Sequence, residues 1–247
     1  MFKTEVAATG AWFMNLKGIQ LTWLGHATFR IQTPAGQTVI IDPWVMNNPA
    51  CPVSEKKVSK VDTMLITHGH GDHIGDAVEI AKQHEPKVVG IPELVGWLEK
   101  KGVKNTAMMN KGGTQTVGDI KVTMVHADHS CGIQDGDQLV YGGEACGYVV
   151  EFNNGIKIYH AGDTNVFGDM AIIRELYAPD IAMIPIGDHF TMGPREAAYA
   201  CKLLKAQMVI PMHFATFPML TGTPAELQKL APEVKVQAMK PGETLGG

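Results

Sequence analysis

Residues 65–76 read Leu65-Ile66-Thr67-His68-Gly69-His70-Gly71-Asp72-His73-Ile74-Gly75-Asp76, placing three histidines and an aspartate within six positions. They follow the apolar run Asp62 to Ile66, which reads as a strand. In an extended segment alternate side chains share a face, so His68, His70 and Asp72 can enter one pocket. His73 lies at the turn where a helix begins and is aimed differently. Gly69 and Gly71 are expected to narrow the loop and to supply backbone angles that other residues avoid. Imidazole and carboxylate together suit zinc, iron, nickel or manganese; calcium prefers oxygen alone. Ligands split over two directions point to two adjacent divalent ions.

The remaining candidates stand at the ends of other apolar runs. Val122 to Val125 leads into His126-Ala127-Asp128-His129-Ser130, Ile156 to Tyr159 into His160-Ala161-Gly162-Asp163-Thr164, and Val209 to Met212 into His213-Phe214. Each run reads as a rigid strand that presents a ligand at its end. Of the ten histidines, only His84 reads as plain surface at a helix end. Asp163 could instead cap a helix running on from Val166, but its place after a buried strand favours a ligand.

The elements that position these residues can be read from periodicity and turn signals. Ile19–Leu24, Ala27–Gln32 and Gln37–Ile41 form an antiparallel start, joined by Gly and Pro turns. Residues 43–60 form a long loop of the kind that walls a pocket. A helix over Ile74–Gln83, a strand at Lys87–Gly90 and a helix over Pro92–Lys100 follow, then two or three strands through Met124. The second half repeats the theme, with strands at Leu139–Phe152, Ile156–Tyr159, Ile181–Ile186 and Met208–Met212. Its helices are Pro194–Leu204 and Pro224–Leu230. Two successive sets of strands and helices imply two packed sheets with helices outside, an α/β (α+β) four-layer αββα sandwich. A single domain is expected over residues 14–247, with 1–13 as a peripheral extension or an artefact of start choice.

Composition narrows the class of function. A net charge of −4, with 21 basic against 25 acidic residues, argues against a general grip on nucleic acid. No apolar run approaches a membrane span, and the opening residues lack a signal-peptide core. Cys51, Cys131, Cys146 and Cys201 are scattered without a paired motif, so a reducing cytoplasm is the expected setting. The expected partner is a small-molecule substrate, with a homo-oligomer left open.

His68-Gly69-His70-Gly71-Asp72-His73, a later His, Gly162-Asp163-Thr164 and a final His after a strand resemble the metallo-β-lactamase superfamily. Trp23-Leu24-Gly25-His26-Ala27 and Gly187-Asp188-His189-Phe190-Thr191-Met192-Gly193-Pro194 resemble its metal-dependent hydrolase branch, whose relatives include the ascorbate-6-phosphate lactonases. The resemblance covers nearly the whole chain from about Met14. It implies that His68, His70 and a third histidine hold one metal. It further implies that Asp72, His73 and His213 hold a second, with Asp163 bridging both. The third histidine is His126 or His129; the family ligand sits in a loop before a small residue, which favours His129-Ser130. Dizinc β-lactamases of the best-known class carry cysteine where Asp163 stands, so antibiotic hydrolysis is not expected.

Two divalent ions against Asp72, Asp163 and a bridging hydroxide leave an excess of about one positive charge, favouring an anionic or strongly polar substrate group. Zinc is the first expectation, with manganese, nickel or iron as alternatives. The expected activity is hydrolysis of a lactone, other ester or phosphodiester by the hydroxide that bridges the metals. His26, Asp42, His160, Asp188 and His189 are candidates to support the ligands, each with an ordinary core or turn residue as its plainer reading. His189 is also a candidate catalytic residue, touching substrate or protonating the leaving group, and Arg195 is an alternative anion contact. The competing readings are an iron-dependent dioxygenase on the same fold, a non-catalytic metal-binding module and a nuclease.

Overall fold

The computed structural model describes residues 14–247; the expected extension over 1–13 lies outside the described residues. The first half runs β1 (Gln20–Gly25), β2 (Thr28–Gln32), β3 (Thr38–Ile41), β4 (Thr63–Leu65), α1 (Gly71–Ile74), α2 (Ala77–His84), β5 (Lys87–Gly90), α3 (Pro92–Lys100) and β6 (Thr106–Met108). The second half begins with β7 (Thr114–Val117), β8 (Ile120–His126), the hairpin β9 (Gly132–Asp135) and β10 (Gln138–Tyr141), β11 (Cys146–Phe152) and β12 (Lys157–His160). It continues with α4 (Met170–Tyr177), β13 (Ile181–Pro185), α5 (Pro194–Leu204), β14 (Met208–Met212), α6 (Pro224–Leu230), β15 (Lys235–Val236) and β16 (Thr244–Gly246).

These strands form two seven-stranded sheets, β16-β1-β2-β3-β4-β5-β6 and β15-β14-β13-β12-β11-β8-β7. Each has an antiparallel part and a parallel part, which meet at β3 in the first sheet and at β12 in the second. The sheets face one another. Tyr148 on β11 donates its hydroxyl to Ile66 O across the gap at 2.7 Å, and Cys146 N–H donates to Thr67 O at 3.0 Å. Helix α3 packs on β5 and β6, and α5, flanked by α4 and α6, packs on β13. The four-layer αββα sandwich follows, its shared core including fully buried Phe29, Ile31, Met64, Tyr148 and Tyr159.

The expected helix Ile74–Gln83 is two helices, because Gly75 and Asp76 interrupt it and Asp76 turns to accept bonds from Val45 and Met46 N–H. The expected strand Leu139–Phe152 breaks at Gly142-Gly143 into β10 and β11, and β10 pairs only with β9. The helix after Asp163 starts at Met170, beyond the reach of an Asp163 cap.

Candidate metal centre

Every strand that leads to a candidate ligand ends on the same side of the sandwich. β3 runs into Asp42, β4 into His68, β12 into Asp163 and β14 into His213, the carboxyl ends of parallel strands where α/β folds gather their sites. Antiparallel strands β1 and β8 bring His26 and His129 to the same place. His26, Asp42 and His213 all have left-handed backbones, with φ of 55°, 51° and 56°. Non-glycine residues pay for that conformation, and such strain is concentrated at functional sites.

Asp163 lies at the middle. Its carboxylate oxygens are 3.0 Å from His213 Nε2, 3.3 Å from His73 Nε2, 3.7 Å from His129 Nε2 and 3.9 Å from His68 Nε2. On one side His68, His70 and His129 form a group whose nitrogens could hold an ion, with His68 Nε2 3.0 Å from His70 Nδ1. On the other stand His26, Asp72, His73 and His213, with His213 Nε2 3.8 Å from Asp72 Oδ2. The structure thus brings His68, His70, Asp72, His73, His129, Asp163 and His213 together. His126 lies elsewhere: it ends β8 exposed, with its ring against Phe167.

The hydrogen-bond chain around the cluster fixes which ring nitrogens carry protons. Asp42 accepts from Thr67 N–H, from Thr67 Oγ1 and from His73 Nδ1, at 2.8, 2.7 and 2.8 Å. The Thr67 hydroxyl, having given its proton to Asp42, accepts from His68 Nδ1 at 3.0 Å. Both rings therefore turn Nε2 into the cluster, the arrangement that metal-binding histidines take from outer carboxylates and hydroxyls. His73 Nε2, Asp163 Oδ1 and both His213 nitrogens are buried without a hydrogen-bond partner. Leaving such groups unpaired is costly. Ring nitrogens and carboxylate oxygens 3.0–3.9 Å apart suit shared cations, since tetrahedral bonds of ~2.0–2.1 Å separate ligand atoms by about 3.3 Å. The donor set therefore fits divalent metal.

The electrostatics agree. Burial, reinforced by the neighbouring His73 charge, holds His68 well below the ordinary imidazole range. Burial also lowers His70 and His129, leaving neutral rings able to ligate. Burial works against the charged form of His73 too, but the carboxylates of Asp163 and Asp42 outweigh it and raise His73 well above the ordinary value. Burial would raise Asp163, yet His213 and His73 hold it far below the carboxylate range. The space between His73 and Asp163 thus demands positive charge, from a proton or a metal ion.

The supporting candidates divide. Asp42 orients His73 as described. His26 touches Asp72 directly, Nε2 to Oδ2 at 3.0 Å. His160 is a satisfied core residue: Nε2 donates to Ala27 O at 3.0 Å and Nδ1 accepts from Gly162 N–H at 3.1 Å, pinning one sheet to the other. Asp188 serves its own loop, accepting from His189 N–H at 2.8 Å, and among the described residues it makes no hydrogen bond to a candidate ligand. His189 is exposed, its ring against Phe190. It stands outside the cluster, though Met192 N–H ties its loop to Thr164 O at 3.2 Å, beside Asp163. Arg195 is exposed on α5.

The two glycines of the histidine loop are not there for positive φ. Gly69 is required by space, since a Cβ would sit 2.4 Å from Ile133 Cγ1, whereas Gly71 opens α1 with nothing near it. The long loop 43–60 contributes Trp44, whose ring meets His26 edge-on at 5.3 Å and stacks with Phe217 at 6.0 Å. Neither this contact nor that of Thr216 with His26 is readable from spacing, because both come from irregular loops.

The chain resembles known proteins along nearly its whole length. Residues 20–213 match the model of the beta-lactamase superfamily domain. The chain is 69% identical over 231 residues to a UPF0173 metal-dependent hydrolase of Koribacter versatilis, covering 94% of this chain and 99% of the relative. A UPF0173 metal-dependent hydrolase of Solibacter usitatus is 54% identical over 227 residues, covering 91% and 98%. Igni18, a metallo hydrolase from the hyperthermophilic archaeon Ignicoccus hospitalis, superposes with a TM-score of 0.81 at 36% identity, covering 92% of this chain and 97% of that one.

Proposed function

The chain belongs to the metallo-β-lactamase superfamily, among its metal-dependent hydrolases, and from that membership we propose a binuclear enzyme that cleaves a lactone, other ester or phosphodiester in a small polar substrate. The observation that carries this reading is the convergence on Asp163 of four histidine Nε2 atoms from β4, α1, β8 and β14 segments, within 3.0–3.9 Å.

In this reading His68, His70 and His129 would hold one divalent ion and Asp72, His73 and His213 the other, with Asp163 available to both. The chemistry supplied by divalent ions at such a site is activation of water near neutral pH and stabilisation of charge on the attacked oxygen. The chain's own work is orientation. Asp42 and Thr67 keep His73 and His68 in the tautomers that turn Nε2 inward. Trp44 and Phe217 stack on one another and pack against His26 on one side of the cluster. His70 and His129, partly exposed beside Ser130, border the open side. We assign His189 to the substrate's leaving side, on the support of its loop's bond to Thr164. Zinc is the metal we favour. Four free, buried cysteines support a reducing, cytoplasmic setting.

The test is metal analysis of protein purified without chelator, then a screen of lactones, thioesters and phosphodiesters. Two equivalents of metal and hydrolysis of at least one class are expected. His70→Ala and Asp163→Ala should lower both metal content and turnover, while His189→Ala should keep the metal and lose about 100-fold or more in kcat. Iron content with substrate-dependent oxygen uptake and no hydrolysis overturns the reading in favour of a dioxygenase.

A further inference from the structure

We infer that His26 is a positioning residue that holds the carboxylate of Asp72 for the second metal by donating a hydrogen bond from Nε2, while Thr216 occupies its other nitrogen. The inference rests on the binuclear reading above and adds a residue outside the seven proposed ligands.

The geometry sets the proton. Asp72 is an acceptor only, so the 3.0 Å contact between His26 Nε2 and Asp72 Oδ2 places a hydrogen on Nε2. His26 Nδ1 is 2.9 Å from Thr216 Oγ1. That hydroxyl's alternative acceptor, Phe214 O, is 3.5 Å away, so the shorter bond, from Thr216 to Nδ1, is the one that forms. The ring is fully excluded from solvent and enclosed by Trp44, Phe217 and His213, at centroid distances of 5.3, 5.7 and 3.9 Å. Its backbone is held as firmly: the His26 carbonyl accepts from Trp23 Nε1 and from His213 N–H, each at 3.0 Å. The second bond ties His26 to the segment that presents His213, so one residue registers two groups of the same metal position. Asp72, by contrast, sits on a four-residue helix with its side chain 29% exposed. Without a fixed donor its carboxylate is free to turn to water.

A histidine in this group of four could also be a direct ligand, and the experiment separates the two roles. Zinc affinity of the full chain is measured by chelator competition for wild type, His26→Gln and His26→Leu. Gln keeps an N–H donor near the position of Nε2 and offers no imidazole lone pair; Leu keeps only bulk. The expected result is two tight equivalents in wild type and in His26→Gln, with the second weakened 10- to 100-fold in His26→Leu. Equal affinity in His26→Leu and wild type overturns the inference. So does equal loss in both variants, which makes His26 a ligand. If wild type itself binds fewer than two equivalents, the binuclear reading fails. The donor role is then decided by ¹⁵N resonances of the His26 ring in chelated protein: an Nε2–H tautomer supports it and an Nδ1–H tautomer overturns it.

Discussion

His73 Nδ1 donates a 2.8 Å hydrogen bond to Asp42 Oδ2, and both side chains are wholly excluded from solvent. The same carboxylate takes both Thr67 protons, from N–H and from Oγ1. One residue at the end of β3 thus sets two histidines, His73 directly and His68 through Thr67. Asp42→Asn should break this arrangement even though it keeps the shape. An amide has one acceptor oxygen for three donors, and its NH₂ must face one of them. The expected outcome is metal affinity lower by about 10- to 100-fold, read by chelator competition. Undiminished affinity would mean that His73 needs no carboxylate behind it.

The approach of the two sheets beside Asp163 depends on Gly162. Its φ is +63°, and an added Cβ would lie 2.7 Å from Cys146 O and 2.9 Å from Thr67 Cβ. Neither neighbour is the loose end of a flexible chain. Gly162→Ala should cost about 2–4 kcal/mol, the sum of left-handed backbone strain and overpacking. Urea unfolding monitored by circular dichroism measures this, and a change under 1 kcal/mol would show that the sheets can spread at little cost.

The choice between His126 and His129 also comes down to one measurement. His129 Nε2 is 3.7 Å from Asp163 and its side chain is 14% exposed, whereas His126 ends β8 in solvent against Phe167. His129→Ala should remove about one equivalent of metal. His126→Ala should leave stoichiometry unchanged within error. A larger loss at His126 would reverse the assignment.

Much of this site is legible in the sequence because its chemistry is local to strand ends. His68, His70, Asp72 and His73 share one loop, and Asp163 and His213 each follow an unbroken apolar run, so type and position coincide. The sandwich is legible for the same reason: strand runs and helical periods alternate in two sets. What stays hidden depends on contacts between distant loops. His160 has the same setting in the sequence as the proposed ligands, yet its ring turns to Ala27 O and becomes a strut. His26 looks like a turn residue until the 213–217 segment closes over it with Thr216. The break at Gly75-Asp76 was concealed by helical spacing on both sides, and its cause is the Asp76 carboxylate caught by the 43–46 backbone.

The metal-free protein should be acid-sensitive in a window set by its buried histidines. His26 is fully buried and its pKa is lowered from 6.5 to about 4 by burial, and burial likewise lowers His68, His70, His129 and His160. For such groups the unfolded chain takes up protons first. Stability is therefore complete above the unfolded value and is lost as pH falls from about 6.5 toward 4. His73 has the opposite shift: its stabilisation grows as pH falls through 6.5 and is complete about one unit lower, so it offsets part of the loss between pH 7 and pH 5 without cancelling that of several lowered rings. The lowered carboxylates of Asp72 and Asp163 begin to matter only nearer pH 4. His26 alone should remove about 2 kcal/mol between pH 7 and pH 5, at ~1.4 kcal/mol per pH unit below 6.5. Urea midpoints in excess chelator at the two pH values test this. The midpoint should fall on acidification, and less so in His26→Gln, which has no ring to protonate. A midpoint that is flat or rises toward pH 5 would show that these rings are already solvated or charged once the metal is gone.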